Sequence, residues 1–240
     1  MKVLLLGSGA REHTIAWRLL QSSRLTKLWV ADGNAGTATI ATNLPINPDD
    51  IDGIIAAVRS FDIDLVVVGP ELPLSLGIVD QLASLGITTF GPSKAAARIE
   101  TSKSFALEVM KEAKVACPKF WVFQDESSAL KFLKGQSGPM VVKADGLAAG
   151  KGVILCATAK EAAEAVSVCM NDRAFGEAGD TVVIEEMLTG PEVSVFAFCD
   201  GQHISSLAAA CDYKRLEDGN NGPNTGGMGS FSPPRFWNDG

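Results

Sequence analysis

Two lysines flank a glycine-rich stretch in the middle of the chain, and lysines so placed can bind phosphate groups. Residues 141–153 read VVKADGLAAGKGV, so that Lys143 ends an apolar run and Lys151 follows the glycines. A glycine-rich backbone can approach a polyphosphate closely, and two ammonium groups can offset the negative charge that develops in phosphoryl transfer. The pattern indicates a strand–loop–strand flap over a polyphosphate. The alternative is an exposed hairpin with solvated lysines.

The same stretch is not a P-loop, although its glycines are followed by a lysine. The spacing from Gly146 to Gly150 is one residue too short for that motif, and Gly152 replaces the Ser or Thr that should follow the lysine. A strand at residues 153–156, rather than a helix, is predicted next. The sequence therefore predicts a different device for holding phosphates.

A second pair of glycines lies near the N-terminus, where residues 7–12 read GSGARE between a predicted strand and a helix. Backbone N–H groups at such a helix start can bind an anion. Glu12 replaces the third glycine of the dinucleotide fingerprint, and Asp32 stands where a ribose-binding acid could lie. A dinucleotide site, a plain strand-to-helix turn and a phosphate site for another ligand remain open. The third fits the remaining motifs best.

Two stretches nearer the C-terminus carry further candidate groups. Residues 182–188 read VVIEEML, and the acids that end this strand, with Glu192 after them, could bind a purine edge and ribose hydroxyls. A solvated strand end is the alternative. Residues 212–216 read DYKRL and precede GPNTGGMG at 222–229. So many glycines in one loop imply close backbone approach to a ligand, or else a disordered tail.

The elements that must position these groups follow two patterns. Apolar strands alternate with helices up to residue 90, which indicates βαβ units and a parallel sheet with ligands at its carboxyl edge. Paired strands with intervening helices then indicate a separate α+β domain. We predict strands at 2–6, 28–31, 65–68, 87–90, 119–123, 140–144, 153–156, 181–187, 193–199 and 204–207, and helices at 11–21, 51–60, 74–85, 94–99, 104–113, 127–133 and 159–170.

Composition restricts the classes of function. A net charge of −7 argues against nucleic acid as the main partner, because binding its phosphate backbone needs a basic surface. No apolar run is long enough to span a bilayer, so a cytoplasmic protein without a membrane partner is expected. Five cysteines without CxxC spacing, and only two histidines, argue against a disulfide framework or a zinc site.

Together these stretches resemble the phosphoribosylamine–glycine ligase family of the ATP-grasp superfamily. The similar segments occur in the family's order and extend over essentially the whole chain. They are residues 7–13, 33–36, 68–74, 90–92, 143–152, 185–186 and 222–229.

The resemblance implies an α/β fold in two parts. An N-terminal open parallel-sheet domain, Rossmann-like and of the pre-ATP-grasp type, would occupy residues 1–100, and an incomplete α+β ATP-grasp domain residues 101–240. It also implies that ATP phosphorylates the carboxylate of glycine and that the amine of 5-phosphoribosylamine attacks the acyl phosphate. The product would be glycinamide ribonucleotide, in de novo purine synthesis. The expected ligands are glycine, 5-phosphoribosylamine and ATP with Mg²⁺ or Mn²⁺, and a monomer is expected.

The resemblance assigns roles to three sets of residues. Contact with ATP is implied for Lys103, Lys143, Gly146, Gly150, Lys151, Gly152, Glu185, Glu186, Leu188 and Glu192. Contact with glycine or phosphoribosylamine is implied for Gly9, Arg11, Gly33, Asn34, Gly36, Glu71, Asp212, Lys214, Asn224, Thr225 and Gly226. A catalytic role is implied for Lys143, Lys151, Asp212 and Lys214.

Three features depart from the family pattern. Ala10 replaces the second glycine before the Arg-Glu-His sequence, and Tyr213 replaces a histidine. The Glu and Asn that bind magnesium in the family would lie beyond residue 240, so we predict a fragment with no metal site of its own and little ligase activity. Clear turnover by the purified chain would contradict this. Another ATP-grasp carboxylate–amine ligase and a non-catalytic nucleotide-binding module remain alternatives.

Overall fold

The structure is a computed structural model that describes residues 1–148, 151–219 and 221–237, with the side chain of residue 224 also outside the description. The chain divides into two compact units, Met1–Met187 and Leu188–Gly240. Within the described residues, no helix is both long and apolar enough to cross a membrane.

A five-stranded parallel sheet with the strand order β3-β2-β1-β4-β5 forms the first part of the first unit. Its central strand, β1, has helix-covered faces on both sides and is therefore apolar from Val3 to Leu6. Leu4 packs on one face with residues of α2 and α4, and Leu5 packs on the other with Ala16 of α1. The strands are β1 (Lys2–Gly7), β2 (Lys27–Asp32), β3 (Thr42–Leu44), β4 (Leu65–Val68) and β5 (Thr88–Phe90), and the helices are α1 (Ala10–Leu19), α2 (Ile51–Phe61), α3 (Glu71–Leu76) and α4 (Ile78–Ser84).

Two features of this sheet differ from the sequence prediction. Strand β3 was not predicted, and it forms the edge of the sheet beside β2. The single helix predicted over residues 74–85 is two helices, because Gly77 adopts a φ of 89° that ends α3 and begins α4. A left-handed residue cannot continue a right-handed helix.

A four-stranded antiparallel sheet, ordered β6-β9-β7-β8, forms the second part of the first unit. Helices α7 and α8 pack on one face of it, against alternate residues of the strands such as Val142 and Ile184. Lys143 and Glu185 lie on the opposite face, because successive side chains of a strand alternate. The elements are α5 (Lys94–Thr101), α6 (Lys103–Glu112), β6 (Phe120–Phe123), α7 (Glu126–Leu133), β7 (Met140–Ala144), β8 (Val153–Cys156), α8 (Ala159–Met170), a 3₁₀ turn (Gly176–Asp180) and β9 (Val182–Glu186).

The second unit is a three-stranded antiparallel sheet of β10 (Ser194–Phe196), β11 (Ala208–Glu217) and β12 (Asn221–Phe231), in that order. The expectation of a glycine-rich loop at 222–229 is wrong, because this segment is strand β12 and pairs with β11. Gly222 and Gly227 take positive φ angles within it, and the register shifts twice. The strand predicted at 204–207 instead begins at Ala208.

Candidate functional site

A cavity of about 590 Å³ lies in the first unit between α6 and the face of the antiparallel sheet that carries Lys143. Its wall contains groups from both halves of the unit. Glu71 begins α3 beside the parallel sheet, whereas Lys103 begins α6 and Gly146 follows β7. The cavity therefore brings together residues that the family resemblance assigns separately to substrate and to ATP.

Lys143 and Glu185 form an ion pair on the wall of this cavity, with the Lys143 Nζ 2.7 Å from the Glu185 Oε2. The strand register explains the contact. Lys143 stands opposite Val183 in the sheet, so Glu185 is its diagonal neighbour on the same face. The Glu185 side chain is only 5% exposed, so the pairing offsets the cost of burying its charge. The pair also orients the ammonium group of Lys143.

Lys103 brings a second ammonium group to the same cavity. Its Nζ donates a hydrogen bond of 2.8 Å to the carbonyl oxygen of Gly146. Burial lowers the pKa of Lys103, while Asp145 opposes that shift and the like charge of Lys143 adds to it. Lys103 and Lys143 therefore both present ammonium groups to this cavity, and such groups can bind an anion.

The described part of the predicted flap, residues 146–152, lines the cavity in part. A side chain at Gly146 would lie 2.7 Å from the Ala178 Cβ, and one at Gly152 would lie 2.7 Å from the Ala148 Cβ. Close packing therefore requires glycine at both positions. Gly150 lies outside the described residues. Lys151 is exposed and is not among the described residues that line the cavity.

Glu186 lies apart from Glu185, although the two are adjacent in sequence. Alternation along β9 places Glu186 on the other face, where its carboxylate accepts a hydrogen bond of 2.9 Å from the backbone N–H of Lys119. Glu185 therefore lines the cavity, whereas Glu186 binds the backbone just before β6.

Arg11 and Glu71 form a second ion pair, at the carboxyl edge of the parallel sheet. The Arg11 Nη1 lies 2.8 Å from the Glu71 Oε1, and its Nε lies 2.7 Å from the Glu12 Oε1. The hydrogen bond to Glu71 raises the pKa of Arg11, and the same bond lowers the pKa of Glu71. Because Glu71 also lines the cavity, this edge of the sheet adjoins it.

Glu12 stands where the dinucleotide fingerprint has a glycine, and the structure shows why an acid occupies this position. Glu12 is 3% exposed, and its Oε2 accepts a hydrogen bond of 2.8 Å from the backbone N–H of Gly9. Its side chain fills the space beside Gly7 and Gly69, where an added Cβ would lie 2.7 Å and 2.4 Å from its atoms. In the sequence, the signal for this packing is that positions 7 and 69 are both glycine, which leaves room for a bulky side chain between the two segments.

The turn after β2 joins this edge through Asn34. Its side-chain Nδ2 donates a hydrogen bond of 2.8 Å to the carbonyl oxygen of Ser8, in the turn after β1. Gly33 has a φ of 68° and packs against Asn43, and Gly36 packs against the His13 ring. The predicted substrate residues from the first unit are therefore neighbours at one edge of the sheet.

Within the second unit, three of the predicted residues contact Lys214. Its Nζ contacts the carboxylate of Glu192 and lies 3.1 Å from the Asp212 Oδ1. The bond to Glu192, with a smaller contribution from Asp212, raises the pKa of Lys214. The hydroxyl of Thr225 donates to the Lys214 carbonyl oxygen. Leu188 and Gly226 are exposed, and the side chain of Asn224 lies outside the described part of the chain.

The described residues contain no group of three or more His, Cys, Asp or Glu side chains placed to hold a metal ion. The nearby carboxylates of Asp212 and Glu192 both contact the ammonium group of Lys214, which offsets their charge.

Sequence profiles of one family match both parts of the chain. The profile described as "Phosphoribosylglycinamide synthetase, N domain" matches residues 1–100, and that described as "Phosphoribosylglycinamide synthetase, ATP-grasp (A) domain" matches residues 101–239.

Curated relatives agree with these profiles. The chain is 47% identical over 235 residues to a protein of Xanthomonas axonopodis pv. citri (strain 306) named phosphoribosylamine–glycine ligase. It is 48% identical over 233 residues to the protein of that name from Brucella melitensis biotype 1. Each match covers 97% of this chain, which spans 54% of the length of each relative.

Solved structures show the same fold. The phosphoribosylamine–glycine ligase of Thermotoga maritima is similar with a TM-score of 0.82 and 34% identity, over 96% of this chain and 55% of that one. The biotin carboxylase domain of a Hydrogenobacter thermophilus 2-oxoglutarate carboxylase is similar in fold alone, with a TM-score of 0.63 and 20% identity over 82% of this chain and 46% of that one. The predicted α/β fold class, with a parallel sheet followed by part of an ATP-grasp domain, is confirmed.

Proposed function

Because this chain belongs to the phosphoribosylglycinamide synthetase family, we propose that its protein is an ATP-dependent ligase that joins glycine to 5-phosphoribosylamine. The products would be glycinamide ribonucleotide, ADP and phosphate, in de novo purine synthesis. The observation that carries the proposal is that Lys103 and Lys143 line one cavity, together with Gly146 and Gly152 of the flap.

The proposed reaction has two steps. A carboxylate oxygen of glycine attacks the γ-phosphorus of ATP, so that glycyl phosphate forms and ADP leaves. The nitrogen of phosphoribosylamine then attacks the acyl carbon, loses a proton and displaces phosphate. Phosphorylation is needed because a free carboxylate is a poor electrophile.

The residues of this chain would act mainly through charge and position. Lys103 and Lys143 would hold the phosphate oxygens and stabilise the charge that develops on them. Glu185 would keep Lys143 oriented through their 2.7 Å ion pair. Glu71, whose pKa is lowered by Arg11, would stay ionised and could accept hydrogen bonds from an amine or hydroxyl group of a substrate.

The remaining assignments are part of the same proposal. The ATP site would comprise Lys103, Lys143, Gly146, Gly150, Lys151, Gly152, Glu185, Glu186, Leu188 and Glu192. The glycine and phosphoribosylamine site would comprise Gly9, Arg11, Gly33, Asn34, Gly36, Glu71, Asp212, Lys214, Asn224, Thr225 and Gly226. Lys143, Lys151, Asp212 and Lys214 would be catalytic.

The domain bounds, oligomeric state, compartment and metal ion are also part of the proposal. We assign residues 1–100 to a substrate-binding domain and residues 101–240 to part of an ATP-grasp domain, in a monomeric, cytoplasmic protein that binds no nucleic acid. The metal ion, Mg²⁺ or Mn²⁺, would neutralise phosphate charge when bound. By resemblance, a Glu and an Asn would hold it.

Substitution of Lys143 tests the phosphate site. We expect Lys143→Ala to weaken ATP binding by the full-length protein by about tenfold or more, because an ammonium group beside the phosphates is lost. Calorimetric titration with ATP measures the effect. Lys160→Ala is the matched control, since Lys160 is exposed on α8 and its loss should leave the affinity unchanged.

Equal ATP affinity in the wild type and Lys143→Ala would remove Lys143 from the phosphate site. The reaction itself is tested by ADP release from the full-length protein. Release that requires both glycine and phosphoribosylamine supports the ligase, and release that depends on neither contradicts it.

A further inference from the structure

The start of α6 and the end of β7 are joined by hydrogen bonds between short, consecutive stretches of the chain. Asp145 accepts a hydrogen bond of 3.1 Å from the backbone N–H of Ser104 and one of 3.3 Å from the hydroxyl of Ser102. The hydroxyl of Ser104 also donates to the Asp145 carboxylate. Lys103, which lies between the two serines, donates to Gly146, which follows Asp145.

These contacts exceed what the helix start requires. Ser102 already caps α6 by accepting a hydrogen bond of 3.2 Å from the backbone N–H of Phe105. The three donors on Asp145 therefore add a link between two elements that are 41 to 43 residues apart in sequence. The link lies at the two residues that flank Lys103, so it fixes where that side chain leaves the helix.

The main chain of Asp145 is also held by a hydrogen bond. Its backbone N–H donates a hydrogen bond of 2.9 Å to the carbonyl oxygen of Thr181, immediately before β9. Asp145 is thus anchored to the sheet through its main chain and to α6 through its side chain. Because Asp145 is anchored in this way, it holds the start of α6, and with it Lys103, at a fixed distance from the sheet that carries Lys143.

We propose that Asp145 is a positioning residue that holds the Lys103 ammonium group at a fixed place beside the phosphate subsite. The proposal rests on the proposed function, because it takes the ligand between Lys103 and Lys143 to be a polyphosphate. Asp145 itself lines no part of the cavity that the described residues form, so it acts through Lys103 and not on the ligand.

Asp145→Asn provides the test, because it keeps the shape of the side chain but replaces one acceptor oxygen with an NH₂ donor that faces donors. We expect the dissociation constant for ATP to rise about tenfold in the full-length protein and that for adenosine to change less than twofold. Adenosine has no phosphates, so a misplaced Lys103 cannot affect it. Asp172→Asn, at an exposed position, is the control and should change neither constant.

A double-mutant cycle separates positioning from general structural damage. In a Lys103→Ala background, we expect Asp145→Asn to cause no further loss of ATP affinity, because the group that it positions is gone. Hydrogen exchange without nucleotide supplies an independent reading. The amide of Ser104 should exchange faster in Asp145→Asn, while amides of α8 keep their wild-type rates.

The ATP affinities of Lys103→Ala and Asp145→Asn distinguish failure of the positioning role from failure of the proposed phosphate site. If Lys103→Ala weakens ATP binding but Asp145→Asn does not, the positioning role is overturned and the proposed function stands. Equal losses for ATP and adenosine in Asp145→Asn also overturn it, in favour of a purely structural role. If Lys103→Ala binds ATP as the wild type does, Lys103 is not at the phosphate site, and both the positioning role and that part of the proposed site fail.

Discussion

Glu12 shows how a single buried carboxylate can organise several segments at the edge of a sheet. It binds the backbone of Gly9, pairs with Arg11 and fills the space left by Gly7 and Gly69. We expect Glu12→Ala to lower the free energy of unfolding by about 2–4 kcal/mol, because it leaves a cavity and an unpaired donor. Urea denaturation measures the change.

The control for this substitution is Glu164→Ala, because Glu164 is exposed on α8. Its loss should change the free energy of unfolding by no more than about 0.5 kcal/mol. A similar small value for Glu12→Ala would show that the buried carboxylate does not stabilise the loops around it.

The ionisation of Glu71 makes the free energy of unfolding depend on pH. Its pKa is lowered in the folded state by Arg11, so the unfolded chain binds more protons than the folded one as the pH falls. The stabilisation is present above the unfolded pKa of a glutamate, about 4.3, and is lost as the pH falls through the lower folded pKa. Because Glu71 is partly exposed, its contribution should stay below about 1 kcal/mol.

We therefore expect Glu71→Gln to be less stable than the wild type at pH 7 and to lose less of its stability between pH 5 and pH 3. Chemical denaturation at a series of pH values tests this, with Glu164→Gln as the exposed control. Parallel stability curves for Glu71→Gln and the wild type would contradict the role of the Arg11 pair.

Residue types alone indicated the cations of the site but not what holds them. Lys143 and Lys151 could be singled out because they flank glycines in one short stretch. The pairing of Lys143 with Glu185 depends on strand register, and the hydrogen bonds of Asp145 to Ser102 and Ser104 join stretches more than 40 residues apart in sequence. Such pairings arise only when the chain has folded, so no local pattern announces them.

At the scale of elements, the sequence predicted best where apolar runs are bounded by clear signals. The bounds of β7, β8 and α8 agree with the prediction, and α8 begins after Thr158, whose side chain caps it. Strand β3 was missed because it has only three residues and is partly exposed. Strand β12 was missed because glycine, asparagine and proline are rare in strands, and its pairing with β11 overrides that preference.

The 3₁₀ turn before β9 depends on one glycine that packs against a helix. A Cβ at Gly179 would lie 2.1 Å from the carbonyl oxygen of Cys169 in α8, so the turn and the helix would have to separate. We expect Gly179→Ala to reduce the free energy of unfolding by about 2 kcal/mol or more. Thermal and urea denaturation measure this.

Gly135→Ala serves as the matched control, because the nearest atom to its added Cβ is 3.7 Å away. It should change the stability by less than about 1 kcal/mol. If the two variants were equally stable, the close approach of the turn to α8 would not constrain the sequence.

At the scale of the whole molecule, the apolar clusters and the cavity belong to the first unit. The three clusters of buried residues found in the described part of the chain lie within Met1–Met187, as do the residues that line the 590 Å³ cavity. In the second unit, the buried apolar side chains other than proline among the described residues are Ala209 and Cys211, so nearly all of the burial that stabilises the fold belongs to the first 187 residues.

We therefore expect a chain that ends at Met187 to fold by itself. It should unfold cooperatively on heating and keep a near-ultraviolet circular dichroism signal from Trp29 and Trp121, because both lie in or beside the packed sheets. A chain that ends at Ala144 is the control. It lacks β8, α8 and β9, so the second sheet cannot form and its part of the signal should disappear. If the 187-residue chain unfolded without a cooperative transition, residues after Met187 would be required for its core, and the division into compact units would not describe stability.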